Sequence, residues 1–521
     1  MRRGSSVATS APRPLRSGTR TRAASADHGV GGGGGVFTSE QIAAATRGQV
    51  LRRGGPGSIT TDSRTARQGT WFLGLKGERY DGRMFASEAI ARGCAGVVLE
   101  ARDEEEAHKL RQSAEATGSD AGLVLVQGNS GGLDSLHGLA RSVRDAFPGR
   151  VIGVTGSCGK TTTRSLASHL LRGLVSGGVH ETEGNENNLV GVPRTLLGIR
   201  ADTSHCVLEL GMDRPGEIDT LQDLCSPDVR VVTNVGLAHL QGCGGTIEGV
   251  ARAKAELVTT ARPGDVCVLN ADDPRVAAMR PPTGAETLLF GRGAGCDVRI
   301  LASAPAGEDG LRSRVELDLG GGLGRVDAQV CQPGHRNVAE NAAAACAVLV
   351  ALGVDFDPAL LSTGLSTFTS SLQDGRGRAR EFWFEGKAVA VIDETYNSNP
   401  TSAMAALATL SDPAVGGGHA VLGDMLELGE ASADQHAAVL RRCLQDRGIR
   451  SVHLVGSLFR EALEAEGRAA GTKARWHDDP RAAAAAALAG CKDGDVVLVK
   501  GSRGLGMEAF FDESVGLIGG M

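Results

Sequence analysis

The stretch VIGVTGSCGKTT, residues 151–162, decides the fold. Residues 151–154 are a short apolar, partly β-branched run, the pattern of a buried parallel strand. Gly156 and Gly159 follow, and Lys160-Thr161-Thr162 opens a helical pattern over residues 164–174. A strand, a glycine-bearing loop and a helix in that order make a phosphate cradle. Its backbone N–H groups point inward, the helix N-terminus adds positive potential, Lys160 reaches a terminal phosphate and Thr161 can hold Mg²⁺. The spacing departs from GxxxxGK[ST], because Val154 stands where the first glycine belongs, leaving G-x-x-G-K-T. Alone, that shorter form marks either a nucleotide site or a glycine-rich turn beside a surface lysine.

At 521 residues the chain is long enough for about three domains. Hydrophobic residues at 41% and charged residues at 22% are those of a globular protein, and aromatics at only 3% leave cores of Ala, Val and Leu, suited to parallel α/β layers. The net charge of −6 argues against a nucleic-acid-binding surface. No apolar run approaches the roughly 20 residues that span a bilayer, so no membrane insertion is expected; residues 342–354 come nearest and read as a buried helix. Eleven cysteines are scattered singly, with no CxxC pair, which argues against a disulfide scaffold or structural zinc and fits a reducing compartment. Cys158, inside the loop, reads as a small residue filling a tight turn.

Working outward, residues 1–36 carry Arg2, Arg3, Arg13, Arg16, Arg20 and Arg22 among Ser, Thr, Ala and Pro, with no acid before Asp27 and a glycine run at 31–35. That is the composition of an organelle transit peptide, or else of a disordered tail. Residues 37–148 read as a small mixed α/β domain whose Arg/Lys/Gly edge at 61–85 suits an anionic ligand. Residues 149–371 form a domain in which polar residues recur at the ends of apolar strands: Glu209, Asn234 with His239, and Asn270-Ala271-Asp272-Asp273. An open α/β sheet places its ligand crevice there. Residues 372–521 repeat the alternation, with Asp393-Glu394-Thr395-Tyr396-Asn397 and Lys500-Gly501-Ser502-Arg503 at strand ends.

These residues resemble the Mur ligase family over essentially everything from residue 37 on. The shared motifs are D-S-R…F-x-x-L-K-G…D-G-x-x-F at 62–85, T-G-S-x-G-K-T at 155–161, Glu209, Asn234 with His239, Lys254, and Asn270-Ala271-Asp272-Asp273. G-N-x-N-N at 184–188, E-x-G-M-x-x-P-G-E-I at 209–218, Y-N-S-N-P at 396–400, L-G-D-M-L-E-L-G at 422–429 and K-G-S-R-G at 500–504 are similar to the branch that adds D-alanyl-D-alanine.

The resemblance implies an α/β protein of three domains: a small mixed domain for a uridine nucleotide, a phosphate-loop ATPase domain with a parallel sheet, and a Rossmann-like domain closing over both. It implies ATP and Mg²⁺, with UDP-N-acetylmuramoyl-tripeptide and D-Ala-D-Ala as small-molecule substrates, joined through an acyl phosphate, in a monomer. Gly156, Ser157, Cys158, Gly159, Lys160, Thr161 and Thr162 would grip the phosphates; Asn270, Asn341, Arg376 or Arg378, Asp393 and Glu394 would reach the rest of ATP. Thr161 and Glu209 would hold one metal ion, His239 and a carbamylated Lys254 a second, making Lys160, Glu209, His239 and Lys254 the catalytic set. Ser63, Arg64, Lys76, Asn187, Asn188, Tyr396, Asn397 and Asn399 would meet substrate. Glu394 stands where the family has aspartate, and PGHRNVAEN at 333–341 changes the spacing of histidine and asparagine, so His335 is left unassigned. The competing readings are a Mur-fold ligase with another acceptor (third-residue-adding, or folylpolyglutamate synthase-like) and an inactive nucleotide-binding scaffold. A GTPase switch is excluded by the lack of a following N-K-x-D. A transit peptide on such an enzyme implies a plastid stroma; a plain tail, the cytoplasm.

Overall fold

The computed structural model describes residues 35–77, 80–116, 118–368, 375–467, 471–512, 515–516 and 518–519. Nearly all of the N-terminal segment read as a transit peptide lies outside them. Among the described residues the strands form three sheets, of six, nine and seven strands, and each is covered by helices, the expected three α/β units.

In the first sheet, Gly57–Thr60, Thr70–Leu73, Gly96–Ala101 and Gly122–Gln127 run parallel, and Val36–Phe37 and Gln49–Arg52 close the edges antiparallel. Trp71, fully buried, packs so closely on Gly96 and Gly122 that a β-carbon at either would lie within 2.5 Å of its ring. The indole Nε1 donates to Gly55 O at 2.9 Å, so the one polar atom of that ring is satisfied.

The middle sheet is built around Arg150–Thr155, which pairs in parallel with Thr203–Glu209 on one side and Val229–Val232 on the other. After this strand the chain crosses first to one side and later to the other, so a crevice opens beyond the carboxyl ends of residues 155, 209 and 232. Val151, Ile152 and Val154 are fully buried, as a strand covered on both faces requires. Helix Lys160–Leu174 starts four residues ahead of the pattern read from sequence. It packs against His335–Leu352, whose Ala342, Ala343, Ala344 and Ala345 are buried and allow close approach. Beyond Glu286–Gly291 the sheet gains Val298–Ala306, then Arg312–Asp318 and Arg325–Val330 antiparallel. This hairpin extension, with its alternating buried and exposed residues, goes beyond the elements read from sequence.

In the third sheet Ala474–His477, Ile449–Val455, Gly418–Gly423, Asp495–Lys500 and Lys387–Glu394 are parallel, while Arg378–Phe384 and Ile518–Gly519 add antiparallel edges. One continuous apolar cluster links all three units, including Leu139, Val192, Leu210 and Leu407. The carboxyl ends of the second and third sheets therefore face one another across a shared cleft. Among the described residues no helix is long and apolar enough to cross a membrane.

Candidate active site

The phosphate loop takes its shape from close approaches that only glycine permits. A β-carbon at Gly156 would lie 1.8 Å from Thr233 Oγ1, and one at Gly159 would lie 2.3 Å from Asn341 Oδ1. Gly159 has φ 80° and precedes helix Lys160–Leu174 with no side-chain cap, so the first helical N–H groups stay open to an anion. The far side is clamped by the next strand end. Asn234 accepts from Cys158 N at 2.8 Å and donates to Cys158 O at 3.1 Å, and Thr233 Oγ1 donates to the same carbonyl at 2.7 Å. Ser157 Oγ accepts from Gly236 N at 2.8 Å. Burial raises the Cys158 thiol, which makes only a 3.7 Å contact to Asn399 Oδ1.

Two ammonium groups converge on the loop: Lys160 Nζ donates to Gly156 O at 2.9 Å and Lys254 Nζ to the same oxygen at 3.0 Å. Lys254 is 1% exposed, and burial, reinforced by Lys160, lowers it from 10.5 to about 7. Glu209 is also 1% exposed, accepting from Thr161 Oγ1 at 2.6 Å and from Asn187 Nδ2 at 2.8 Å. Burial alone would raise this carboxyl, but Lys160 and Arg376 outweigh it and hold the group below its usual range. An anionic oxygen, a hydroxyl and an amide thus meet beside an open anion cradle.

Lys160, Thr161, Asn187 and Glu209 line one cleft of about 740 Å³, within the usual size of a small-molecule site. Ser157, Cys158, Gly159, Lys160, Thr161 and Thr162 form its floor. Asn187, Asn188, Glu209 and His239 form one wall, and Arg376, Glu394, Tyr396, Asn397, Asn399 and Lys500 enter from the C-terminal domain. Asn341 Oδ1 accepts from Thr163 Oγ1 at 3.2 Å and lines the same space. Arg376 stacks 3.7 Å over the Tyr396 ring, with Arg503 at 5.3 Å. Lys500, 2% exposed, pairs with Glu394 at 2.7 Å and donates to Asn397 O at 3.0 Å. The K-G-S-R-G motif signalled Lys500, yet sequence alone does not show it pairing with Glu394.

Several expected residues sit elsewhere. Asp393 is 1% exposed and turned inward: it accepts from Gly375 N at 3.0 Å, Thr395 Oγ1 at 2.7 Å and Arg380 Nη2 at 2.9 Å, so it ties the turn rather than facing the cleft. Arg378 is exposed on the strand and absent from the lining. Asn270 bridges two strand ends, donating to Thr233 O at 2.8 Å and accepting from Asp272 N at 2.9 Å, and it too lies behind the wall. Asn188 accepts from Val190 N and Gly191 N, a local cap, although it borders the cleft. His239, at φ 55°, has Nδ1 3.1 Å from Asp213 and 2.8 Å from Glu427 of the C-terminal domain. Burial would lower this imidazole, but the two carboxylates outweigh burial and raise it. Lys254, held on Gly156 O, is outside the lining, so as a bare ammonium it is not a metal ligand. In the N-terminal domain Arg64 is bound to Asp62 at 2.6 Å, Ser63 Oγ donates to Glu88 at 3.4 Å and Lys76 is exposed; none of the three reaches this cleft.

Residues 154–349 match the Mur ligase middle domain, and residues 379–503 match the Mur ligase glutamate ligase domain. The UDP-N-acetylmuramoyl-tripeptide–D-alanyl-D-alanine ligase of Mycobacterium leprae is 34% identical over 495 residues, 88% of this chain and 93% of that one. The chain belongs to the Mur ligase family. A second Mur ligase of the same name, from Synechocystis, is 32% identical over 87% of this chain and 90% of its own. Among solved Mur ligases, MurF of Acinetobacter baumannii superposes with a TM-score of 0.76 at 27% identity, covering 92% of this chain and 99% of that one. MurF of Thermotoga maritima, solved in complex with ADP, gives 0.72 at 28% identity, over 88% and 97%.

Proposed function

We propose that this Mur ligase uses ATP to join the terminal carboxylate of UDP-N-acetylmuramoyl-tripeptide to the amine of D-alanyl-D-alanine, making UDP-N-acetylmuramoyl-pentapeptide for peptidoglycan. One observation carries it. A single cleft joins an open phosphate cradle, a buried carboxylate beside a hydroxyl, and a polar loop, Tyr396-Asn397, that a separate domain brings in.

The chemistry joins two anions, so it depends on neutralisation and positioning. Lys160 and the helix N–H groups hold the β- and γ-phosphates. A carboxylate oxygen of the tripeptide attacks the γ-phosphorus, the bond to the β-phosphate oxygen breaks, and ADP and an acyl phosphate result. The amine nitrogen of D-Ala-D-Ala then attacks the acyl carbon; the tetrahedral adduct expels inorganic phosphate and loses a proton. Arg376 and Lys500 add positive charge at the C-terminal side, while Asn187 steadies the Glu209 carboxylate.

Thr161 and Glu209 fit Mg²⁺, since a hard cation takes carboxylate and hydroxyl oxygens, and theirs lie 2.6 Å apart. Bound there, Mg²⁺ supplies charge neutralisation at the phosphates. His239 with a carbamylated Lys254 would hold a second ion. Lys254, lowered to about 7, offers its free amine near neutral pH, whose nitrogen can attack CO₂, losing a proton and becoming an anionic oxygen ligand. The cleft is completed by the chain's own domains, which favours a working monomer. The Arg- and Ser-rich residues 1–36 favour import into a plastid, checked by fusing residues 1–40 to a fluorescent protein and looking for plastid rather than diffuse signal.

The experiment is phosphate release by purified protein given ATP, UDP-N-acetylmuramoyl-tripeptide and alternative acceptors. Release should need D-Ala-D-Ala; equal release with other amino acids or water alone would sink the assignment. Lys160, Glu209 and Lys254 are all present, against the inactive-scaffold reading.

A further inference from the structure

Both oxygens of Glu209 are engaged, by Thr161 and Asn187, and its backbone is held as well: Thr182 Oγ1 accepts from Glu209 N at 3.0 Å. Thr182 is fully buried, and its own N donates to Val207 O at 3.1 Å. It follows Gly178–Glu181, a four-residue strand at the edge of the middle sheet, paired on one side only, with Thr203–Glu209. Residues 183–188 come next, the polar loop that carries Asn187 to the carboxylate. So short an edge strand has few ladder hydrogen bonds, and its end stays in place only if another element ties it down.

Arg164 supplies that tie. It lies four positions after Lys160 on helix Lys160–Leu174, hence on the same side of the helix, and it is buried. Its Nη1 donates to Glu181 Oε2 at 2.7 Å and to Thr182 O. Both bonds come from that one nitrogen; Nε makes none among the described residues. Burying a guanidinium is costly, and letting go of Glu181 or Thr182 would leave its charge unmatched in the interior. The contacts close a ring. The helix carries Arg164, Arg164 holds Thr182, Thr182 holds Glu209 N, and Glu209 Oε2 returns to Thr161 on the same helix.

We propose that Arg164 is a positioning residue for the metal ion, fixing the Glu209 carboxylate against Thr161 and Asn187 through Thr182. Outer-shell groups that orient the ligands raise metal affinity without touching the ion. This role rests on Thr161 and Glu209 as the Mg²⁺ ligands, and it names the residue that keeps the two aligned.

Mn²⁺ stands in for Mg²⁺ in the test. Its binding to the full chain with ADP is followed by loss of the free-ion spin-resonance signal, and ADP binding without metal by calorimetry in EDTA. Arg164→Met should weaken Mn²⁺ about 10-fold, the usual cost of losing an outer-shell partner, and leave metal-free ADP affinity unchanged. Glu181 keeps Arg172 at 2.7 Å in that variant, so no carboxylate is stranded. Arg164→Lys, whose single nitrogen can make both bonds, should restore Mn²⁺ binding. Wild-type Mn²⁺ affinity in Arg164→Met, or equal losses for Mn²⁺ and for metal-free ADP, overturns the proposal. Should Arg164→Met unfold, Thr182→Val removes the acceptor for Glu209 N and must weaken Mn²⁺ selectively; intact binding there overturns it as well. Glu209→Gln separates the two readings. Intact Mn²⁺ binding in Glu209→Gln removes the ion from Glu209 and the positioning role with it, whereas a loss there without one in Arg164→Met defeats the positioning role alone.

Discussion

Lys160 and Lys254, 94 positions apart in sequence, donate to one carbonyl oxygen, that of Gly156, at 2.9 and 3.0 Å. Two ammonium groups on one acceptor repel, and the more buried one yields its proton more easily. Burial beside Lys160 thus lowers the Lys254 ammonium to about 7.

Lys254 should therefore leave a signature in stability against pH. Its folded-state value, about 7, lies below the ordinary 10.5, so between these limits the unfolded chain binds more protons. Stability linked to Lys254 then rises with pH across that window. Denaturant unfolding at pH 7 and at pH 9 should show a larger gain in the wild type than in Lys254→Met; equal gains would exclude the buried, shifted lysine. Dissolved CO₂ should raise activity of the wild type alone, and intact-protein mass should show one added CO₂.

Glu209→Gln keeps the size of the side chain and can still meet Thr161 and Asn187, but it removes the buried negative charge. Turnover should fall about 100-fold or more, as when a charge-stabilising group of a transition state is lost. Thermal stability should change little. A kcat within threefold of wild type, measured by coupled ADP release, would place the essential carboxylate elsewhere.

Gly159→Ala faces both a left-handed backbone, φ 80°, and the Asn341 side chain at 2.3 Å from the new carbon. The conformational penalty alone is about 1 kcal/mol, and displacement of Asn341 adds to it. Nucleotide affinity should drop at least 10-fold by calorimetry, more than for Gly173→Ala, where a β-carbon meets open space.

Asp393 and Arg378 should separate from Glu394 in mutagenesis. Asp393→Ala removes a buried acceptor from Gly375 N, Thr395 Oγ1 and Arg380, and should cost about 3 kcal/mol or more in unfolding free energy. Arg378→Ala, on an exposed strand face, should leave the KM for ATP within twofold. Glu394→Ala should raise that KM by contrast, because it strips the partner from Lys500 in the cleft.

Asp393 and Glu394 also show where sequence reading stops. Successive strand residues point to opposite faces, so one of the two had to face the cleft and the other the interior. Which one is set by the register of Lys387–Glu394 against Asp495–Lys500, where Glu394 stands opposite Lys500. Asn270 is a similar case: its position at a strand end is legible, but that its amide bridges Thr233 and Asp272 depends on the neighbouring strand. Arg376 and Arg378 differ by two residues, yet one lies in the turn ahead of the strand and stacks on Tyr396, while the other is carried out to solvent. The strands at 298–330 are joined by glycine-bearing turns, and their pairing as an antiparallel extension is decided by the neighbouring strands.

The sequence by itself determined what local order can encode. Strand, glycine loop and helix at 150–174 follow from apolar runs and backbone freedom within a few residues, and the polar strand ends mark one crevice. Only the tertiary structure decided which polar groups meet. Lys254 on Gly156, Lys500 on Glu394 and His239 beside Glu427 are separated by 98, 106 and 188 positions. The first follows from packing inside the second unit, the second from strand register in the third sheet, and the third from how those two units face each other; burial lowers Lys254, whereas the two carboxylates raise His239.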